Sequence, residues 1–443
     1  MAVGNKPNVV TGTTSNWYGS VNGQDHANSR QSLTFYYDRA GIEAATASPC
    51  FSQFCDHRTM PVKRGREYRV KVWQHIYDRS LYDDLNNIGN NKPFSDSFAK
   101  YGYLSSRDLA TVVENIYGPD NWTNGLPDTP TNNGAGLLEG EGPTNKVSIK
   151  GVTVSTHLEK FGQMLDYTEE VDMFSEDSMQ TKYRQELGYA AGQLFEDLIQ
   201  IDMLSTPNVM FAGSATSLNT LGDGIGEGTP DPVTGRNAIE ESFKINYELI
   251  QKAVTKLYRN RAPKHTQLTK GSTRIGTAPI NASYVAIVGP EVKLDIENMI
   301  RGNTYEKHFV FQPVYMYADQ TTIMKDEFGR VNDLRFIVSE QMMVERGKGA
   351  SVNTNYAGHL SYSGTLGNDA KFDVFPILIP CKGAFATIGL QGHDKIVFNS
   401  IPPTSIDRTD PFGSTGLFSY KMWYAGLIVR PEKLLRINVL ATA

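Results

Sequence analysis

The chain has 443 residues, enough for two or three domains with substantial cores, and its net charge of -5 at pH 7 excludes the global basic field that drives tight nucleic-acid binding. No apolar run approaches the ~20 residues of a membrane span, so no membrane partner is expected, and three cysteines are too few and too odd a set for a disulfide framework. The N-terminal MAVGNKPNVVTGTTSNWYG carries neither the basic region nor the apolar block of a signal peptide, which points to a chain made and kept in a cytoplasm.

The first 32 or so residues are rich in Gly, Asn, Ser and Thr and hold too few apolar side chains for a core, as in an arm. GREYRVKVWQHIY at 65–77 alternates, with Tyr68, Val70, Val72 and Ile76 on one face and Arg69, Lys71, Trp73 and His75 on the other, which predicts a long half-exposed strand. The following stretch reads as loop except for SSRDLATVVENIYGP, a short helix capped by Ser105 or Ser106 and ended by Gly118 and Pro119. Glycine-rich TNNGAGLLEGEGP at 131–143 leads into a second strand, NKVSIKGVTVSTH, in which the parity set by Val147 and Ile149 changes at Val152 and Val154, so a bulge is expected at Gly151. Two such strands predict an antiparallel hairpin standing away from the body, and a hairpin alone is marginal in water.

A long helix is expected from Glu176 to Leu204, with Ser175 as N-cap and a buried stripe of Leu187, Ala191, Leu194, Leu198 and Ile201. Gly188 and Gly192, one turn apart, expose backbone at a cost of about 1 kcal/mol each, which close approach of another segment would offset. A second helix is predicted over ESFKINYELIQKAVTKLYRN with Phe243, Ile250, Val254 and Leu257 on its buried face. SYVAIV reads as a buried strand, GPEVKLDIENMI restarts a helix with Pro290 in its first turn, and strands follow at HFVFQPVYMY, DLRFIVSE, FDVFPILIP, AFATIGL, KIVFN, KMWYAGLIV and LLRINVL. The class is α+β, with no repeat at a fixed period.

Little here carries chemistry. GDGIGEG at 222–228 lacks the preceding strand of a phosphate loop and is followed by Pro230 and Pro232, and GSTG at 413–416 is one residue short of a nucleophile elbow. Cys50, Cys55 and His57 lie close together, but no second ligand pair with zinc spacing follows, so they read as free thiols and a lone imidazole. The histidines are scattered singly, and no catalytic residue, cofactor or metal is expected.

The order of arm, hairpin, long helix, mixed body and closing strands resembles the major capsid proteins of tailed bacteriophages, the Hong Kong 97-type fold. LLEGEGPTNKVSIKGVTVSTHLEKFGQMLDYTEEVDMF resembles the family's descending arm of the extended loop, with its EG turn, and FSEDSMQTKYRQELGYAAGQLFEDLIQIDML resembles its spine helix. INYELIQKAVTKLYRNRAPK with SYVAIVGPEVKLDIENM resembles the axial domain, FGRVNDLRFIVSEQ resembles its strand around an R-F pair, and the whole is most similar to capsid subunits of N-four-like short-tailed phages. Residues 79–136 are longer than the usual loop, and Asn332-Asp333 stands where a small residue or glycine is expected.

The resemblance implies an N-terminal arm (1–64), an extended loop (65–172) with an insertion (79–136), a peripheral domain with the spine helix (173–240), an axial domain (241–400) and a C-terminal return to the peripheral domain (401–443). It implies a virion shell of homo-hexamers and pentamers around double-stranded DNA, assembled in the host bacterial cytoplasm. Partners would be other copies and a portal protein, with scaffolding and decoration proteins as further candidates and only weak non-specific contact with packaged DNA. Arg66, Arg69, Lys71, Glu139, Glu141, Lys146, Gly188 and Gly192 are the residues expected at assembly contacts. Two other readings remain open at this point: an encapsulin-like nanocompartment shell, which cargo would identify, and a β-rich enzyme acting on a polymer, with aromatic strands such as VYMY lining a groove.

Overall fold

The computed structural model describes residues 50–73, 122–123, 126–127 and 151–442, the last with breaks at 176–178, 226–237, 270–276, 302–307, 310, 318–322, 355, 357, 367, 393–395 and 404–409. The predicted helix at 105–117, Glu139, Glu141, Lys146 and most of the 79–136 insertion lie outside these residues. Inside the insertion, Trp122 and Thr123 pair with Pro127 and Leu126.

The strands described here are β1 (Asp56–Met60), β2 (Glu67–Trp73), β3 (Gly151–His157), β4 (Glu159–Thr168), β5 (Val209–Phe211), β6 (His265–Thr269), β7 (Thr277–Val288), β8 (Gln312–Pro313), β9 (Glu327–Val331), β10 (Leu334–Val338), β11 (Phe375–Pro380), β12 (Phe385–Leu390), β13 (Val397–Ile401), β14 (Thr415–Ile428) and β15 (Leu434–Val439). The helices are α1 (Glu169–Phe174), α2 (Met179–Leu204), α3 (Ala238–Phe243), α4 (Tyr247–Arg259) and α5 (Pro290–Glu297).

An eight-stranded sheet runs β8-β9-β10-β7-β11-β15-β5, with β6 on β7. Its centre is buried on both faces, which is why SYVAIV reads as a continuous apolar run rather than an alternating one. Tyr284, Ala286 and Val288 face a core that holds Ile250, Val254 and Leu257 of α4 and Val292 and Ile296 of α5. Val285 and Ile287 face the opposite way, onto Ile199 and Met203 of α2. Between β9 and β10 the chain turns at Asn332, whose φ of 52° is left-handed. Asparagine tolerates that conformation, so it serves where a glycine was expected. Asp333 beside it accepts from the Tyr258 hydroxyl and, at 3.0 Å, from Lys264 Nζ, tying the turn to the end of α4.

The five-stranded sheet joins β1, β12, β14 and β13, with β4 paired to β14 over ten residues from Thr415↔Thr168 to Tyr424↔Glu159. Phe418 and Tyr420 of β14 pack with Tyr167 on Tyr183, Leu187 and Ala191 of α2. Each large apolar side chain so buried contributes about 1.5–3 kcal/mol.

Several expectations need correction. The run DYTEEVDMF is partly helical, since α1 occupies Glu169–Phe174 and ends at Ser175, while residues 176–178, where the spine helix is expected to start, lie outside the described residues and α2 is described from Met179. The expected stripe on α2 is right at Leu187 and Ala191 but fails at Ile201, which is 53% exposed, because Glu196, Ile199, Gln200 and Met203 face inward instead. The second helix is two: Asn246 accepts the Leu249 N–H at 2.8 Å and caps α4 afresh. HFVFQPVYMY holds only two-residue strands, and a 3-10 turn at Val314–Met316 follows Pro313, which has no N–H to continue a ladder. HTQLT, left unread in the sequence, forms β6.

The sheets also cross the boundaries expected in sequence. Cys50, Phe51 and Phe54, inside the expected arm, are buried in the core under α2, and β1 pairs in parallel with β12. β15, inside the expected C-terminal return, lies within the eight-stranded sheet between β11 and β5.

His265 of β6 is buried, with Nε2 at 2.7 Å from the Pro380 carbonyl and its ring edge-on to Phe54 at 5.3 Å. Burial pushes its imidazole below the ordinary value, and the Pro380 carbonyl opposes the shift only in part. The unfolded chain therefore takes up this proton first as pH falls. The contribution of neutral His265 is complete above about pH 6.5 and is lost progressively below it. Between about pH 7.5 and 5.5 the thermal midpoint should fall less steeply for His265→Gln, which keeps a donor for Pro380, than for the parent chain. Parallel slopes in a pH series of melting curves would show that His265 is not the responsible group.

Candidate assembly surfaces

The predicted hairpin exists. β2 and β3 pair antiparallel in unbroken register from Glu67↔His157 to Trp73↔Gly151, and they form a two-stranded sheet of their own. Gly151 opens the described strand and is not a bulge within it; the residues before it lie outside those described. The alternation read from the sequence sets the faces. Val72 is buried, and Tyr68, Val70 and Val154 pack beside Met60, Leu158, Ala386, Ile388, Ala425 and Leu427. This contact runs along the described hairpin, from one end, where the Leu158 N–H donates to the Arg66 carbonyl at 2.9 Å, to the other, where Arg430 Nη2 donates to the Trp73 carbonyl at 3.1 Å.

The opposite face of the hairpin is open. Arg66, Arg69 and Lys71 are exposed, as is Trp73, and Lys71 Nζ sits 5.4 Å over the Trp73 ring. Arg69 grips Glu67 with two bonds of 2.8 and 2.7 Å, and the guanidinium holds that carboxyl below the usual carboxylate range. A pair in free contact with water adds little to stability. Its effect is to fix two long side chains across the strand.

On α2, Gly188 and Gly192 face open space, since a Cβ built at either would meet nothing of this chain within 4 Å. Any segment that offsets their helix cost is therefore not among the described residues of the same subunit. The hairpin and the two glycines belong to separate parts of the described structure: β2 and β3 pack in the cluster with Met60, whereas Leu187 and Ala191 pack with Tyr167 and Phe418.

The groups weighed for chemistry are held in structural roles. Cys55 Sγ donates to the Phe51 carbonyl at 3.4 Å, and His57 Nδ1 lies 2.7 Å from Thr387 Oγ1. Burial pushes the Cys50 thiol up to about 12 and raises that of Cys55 as well, which suppresses the thiolate that metal binding or nucleophilic attack needs. No three metal-capable side chains come together among the described residues. GSTG belongs to a turn: Asp410 accepts the Thr415 hydroxyl at 2.6 Å and its N–H at 2.7 Å, and these bonds hold the carboxyl down at about 2. The described part of GDGIGEG lines an open cleft of about 370 Å³ with Ser214, Thr216, Thr220, Asp223 and Gly224.

Three polar groups that α2 engages on its inner side, two of them buried, leave no sign in the sequence. Glu196 accepts backbone N–H groups of residues 50–52, Asp202 Oδ2 accepts the Tyr424 hydroxyl at 2.7 Å, and Gln200 is fully buried beside Met342. All three fall in intervals that look like a polar face.

No family model matches the chain. It is 27% identical over 420 residues to the major capsid protein of Pseudomonas phage KPP21, with 93% of each chain covered. Among solved structures it is similar to the capsid of Ralstonia phage GP4, with a TM-score of 0.50 at 9% identity over 93% of this chain and 96% of that one. It is also similar to the head structure of Helicobacter pylori bacteriophage KHP40, with a TM-score of 0.45 at 11% identity over 96% and 99% of the two chains. The likeness to the Ralstonia phage capsid speaks for the fold, and the likeness to the Pseudomonas phage protein spans nearly the whole sequence. The chain is thus similar over nearly its whole length to a bacteriophage major capsid protein, and it has the fold of phage capsid subunits, the Hong Kong 97-type fold.

Proposed function

We propose that copies of this chain assemble as hexamers and pentamers into a closed icosahedral shell around double-stranded DNA, built in the cytoplasm of a host bacterium and carried in the virion. The observation that supports this most is the β2–β3 hairpin. It is a two-stranded sheet whose apolar face packs on its own subunit and whose polar face is open. Such a ribbon is marginal by itself. Laid over a neighbouring subunit it gains the missing support and supplies the heterologous contact that closes rings of subunits. In this reading Arg66, Arg69 and Lys71 face the neighbour, Glu139, Glu141 and Lys146 extend the same contact, and the groove at Gly188 and Gly192 receives a segment of another copy. A portal protein completes the shell, and scaffolding and decoration proteins are its other candidate partners. The modest net charge of -5 suits a wall past which DNA must move without sticking. The subunit has no turnover of its own.

Sedimentation velocity over a range of concentrations and salts, with electron microscopy of the fast species, should show closed particles. If monomer or dimer alone persisted with every required scaffold present, this reading would fail. Particles filled with protein cargo in place of DNA would point to a nanocompartment.

Gly192→Leu separates two effects at the helix groove. Leucine is better than glycine in a helix interior by nearly 1 kcal/mol, and the open space at Gly192 lets that gain appear in the free subunit. Where a neighbour's backbone fills the groove, overpacking costs about 1–3 kcal/mol. The expected result is a raised thermal midpoint for unassembled subunits and a lowered yield of closed particles. An undiminished yield would mean that no segment enters the groove.

A further inference from the structure

Glu196 lies in the middle of α2 and is 4% exposed, yet no Lys, Arg or His pairs with it among the described residues. One carboxylate oxygen, Oε2, accepts three consecutive backbone N–H groups, from Cys50 at 3.2 Å, Phe51 at 2.7 Å and Ser52 at 3.3 Å. These donors open the 3-10 turn Ser52–Phe54, whose first N–H groups have no partner in the turn itself. A buried carboxylate at such a point is strongly held only by donors of this kind, and the donors are buried without an acceptor if it is removed. The apolar half of the contact is independent of the charge: Phe51 and Phe54 are buried among Ile199, Met203 and Phe385.

We propose that Glu196 is a positioning residue that sets where the N-terminal segment, residues 1–49, leaves the body of the subunit. Without this latch the chain before β1 is held by the apolar contacts of Phe51 and Phe54, which fix neither the direction nor the register of its backbone. The first 32 or so residues hold too few apolar side chains for a core of their own, so what they reach depends on where they start. The carboxylate thus converts the position of the spine helix into the starting position of the arm. This inference rests on the shell-forming reading for its consequence in assembly, but not for the latch.

The full-length chain carrying Glu196→Gln or Glu196→Ala tests both parts. Glutamine keeps the shape with a neutral acceptor, and neutral bonds to N–H are roughly half as strong as charged ones. Hydrogen exchange of the 50–52 amides should therefore rise in the order parent, Gln, Ala, with the alanine variant faster by at least roughly tenfold, the factor that 1.4 kcal/mol represents. Exchange within α4 and β7 should stay at the parent rate. The yield of closed particles should fall in the same order, with open or irregular assemblies in their place. Should the alanine variant not fold, the glutamine variant carries both readouts. Unchanged exchange at 50–52 overturns the latch, and raised exchange with a full yield of closed particles overturns its role in placing the arm. A parent chain that forms no shells defeats the shell reading instead, while the exchange measurement still decides the latch.

Discussion

The constraint on which the rest of this subunit depends is that one helix must bury two different faces. The inward residues of α2 are Tyr183, Leu187, Ala191, Phe195, Ile199 and Met203, a ladder in steps of four in which Phe195 alone is partly exposed. At 3.6 residues per turn each step of four advances the stripe by roughly 40°, so between Tyr183 and Met203 it winds through about 200°. The N-terminal half therefore meets Phe418 and Tyr420 of the five-stranded sheet, while the C-terminal half meets Val285 and Ile287 of the eight-stranded one. A helix with a straight stripe could serve only one of them. The winding is also why Ile201 is left exposed while Gln200 beside it is buried.

β14 answers the same demand from the side of the sheet. Gly416, Phe418, Tyr420, Met422 and Tyr424 are buried toward the helix, whereas Ala425, Leu427 and Val429 of the same run are buried with the β2–β3 hairpin. The alternation of a strand makes this possible without a bulge: one face is covered along most of its length and the other only at its C-terminal end. Gly426 leaves room beside this strand for the Asp202 carboxylate of α2, which a Cβ there would push aside. The Gly426 carbonyl accepts the Thr156 hydroxyl at 2.9 Å, so hairpin, strand and helix meet at one residue.

What could be read in the sequence follows from this geometry. SYVAIV, buried on both sides, and the alternating 65–73, buried on one, each report a single fixed environment and were legible. The length of α2 was legible too, as were Leu187 and Ala191, but the drift of its stripe depends on two partners that no local pattern contains. The cap at Asn246 was hidden because Phe243, Ile250 and Val254 keep helical spacing across the break. Glu196 was hidden for a different reason. A carboxylate among Gln193, Asp197 and Gln200 looks solvated, and its donors lie about 145 positions earlier. Of the residues expected at assembly contacts, the sequence correctly placed Arg69 and Lys71 on the open face of the hairpin. The neighbours proposed for them belong to other copies, which would leave no trace in the pattern of one chain.

Beside the buried Arg335–Glu327 pair within the β9–β10 hairpin, four charged side chains, buried or partly so, tie segments remote in sequence together. Glu196 joins α2 to the root of the arm, Asp202 joins it to β14, Arg436 of β15 joins Glu345 at 2.6 Å, and Asp295 of α5 holds the Thr442 N–H and hydroxyl. None of these lies inside a layer; each sits where two segments remote in sequence meet. Apolar contact fills space but is indifferent to small slips along a helix or strand, whereas a carboxylate that must take specific donors is not, since a slip leaves charge and donors buried and unpaired. The apolar clusters thus supply most of the stability, and the buried carboxylates select the register in which the layers lock.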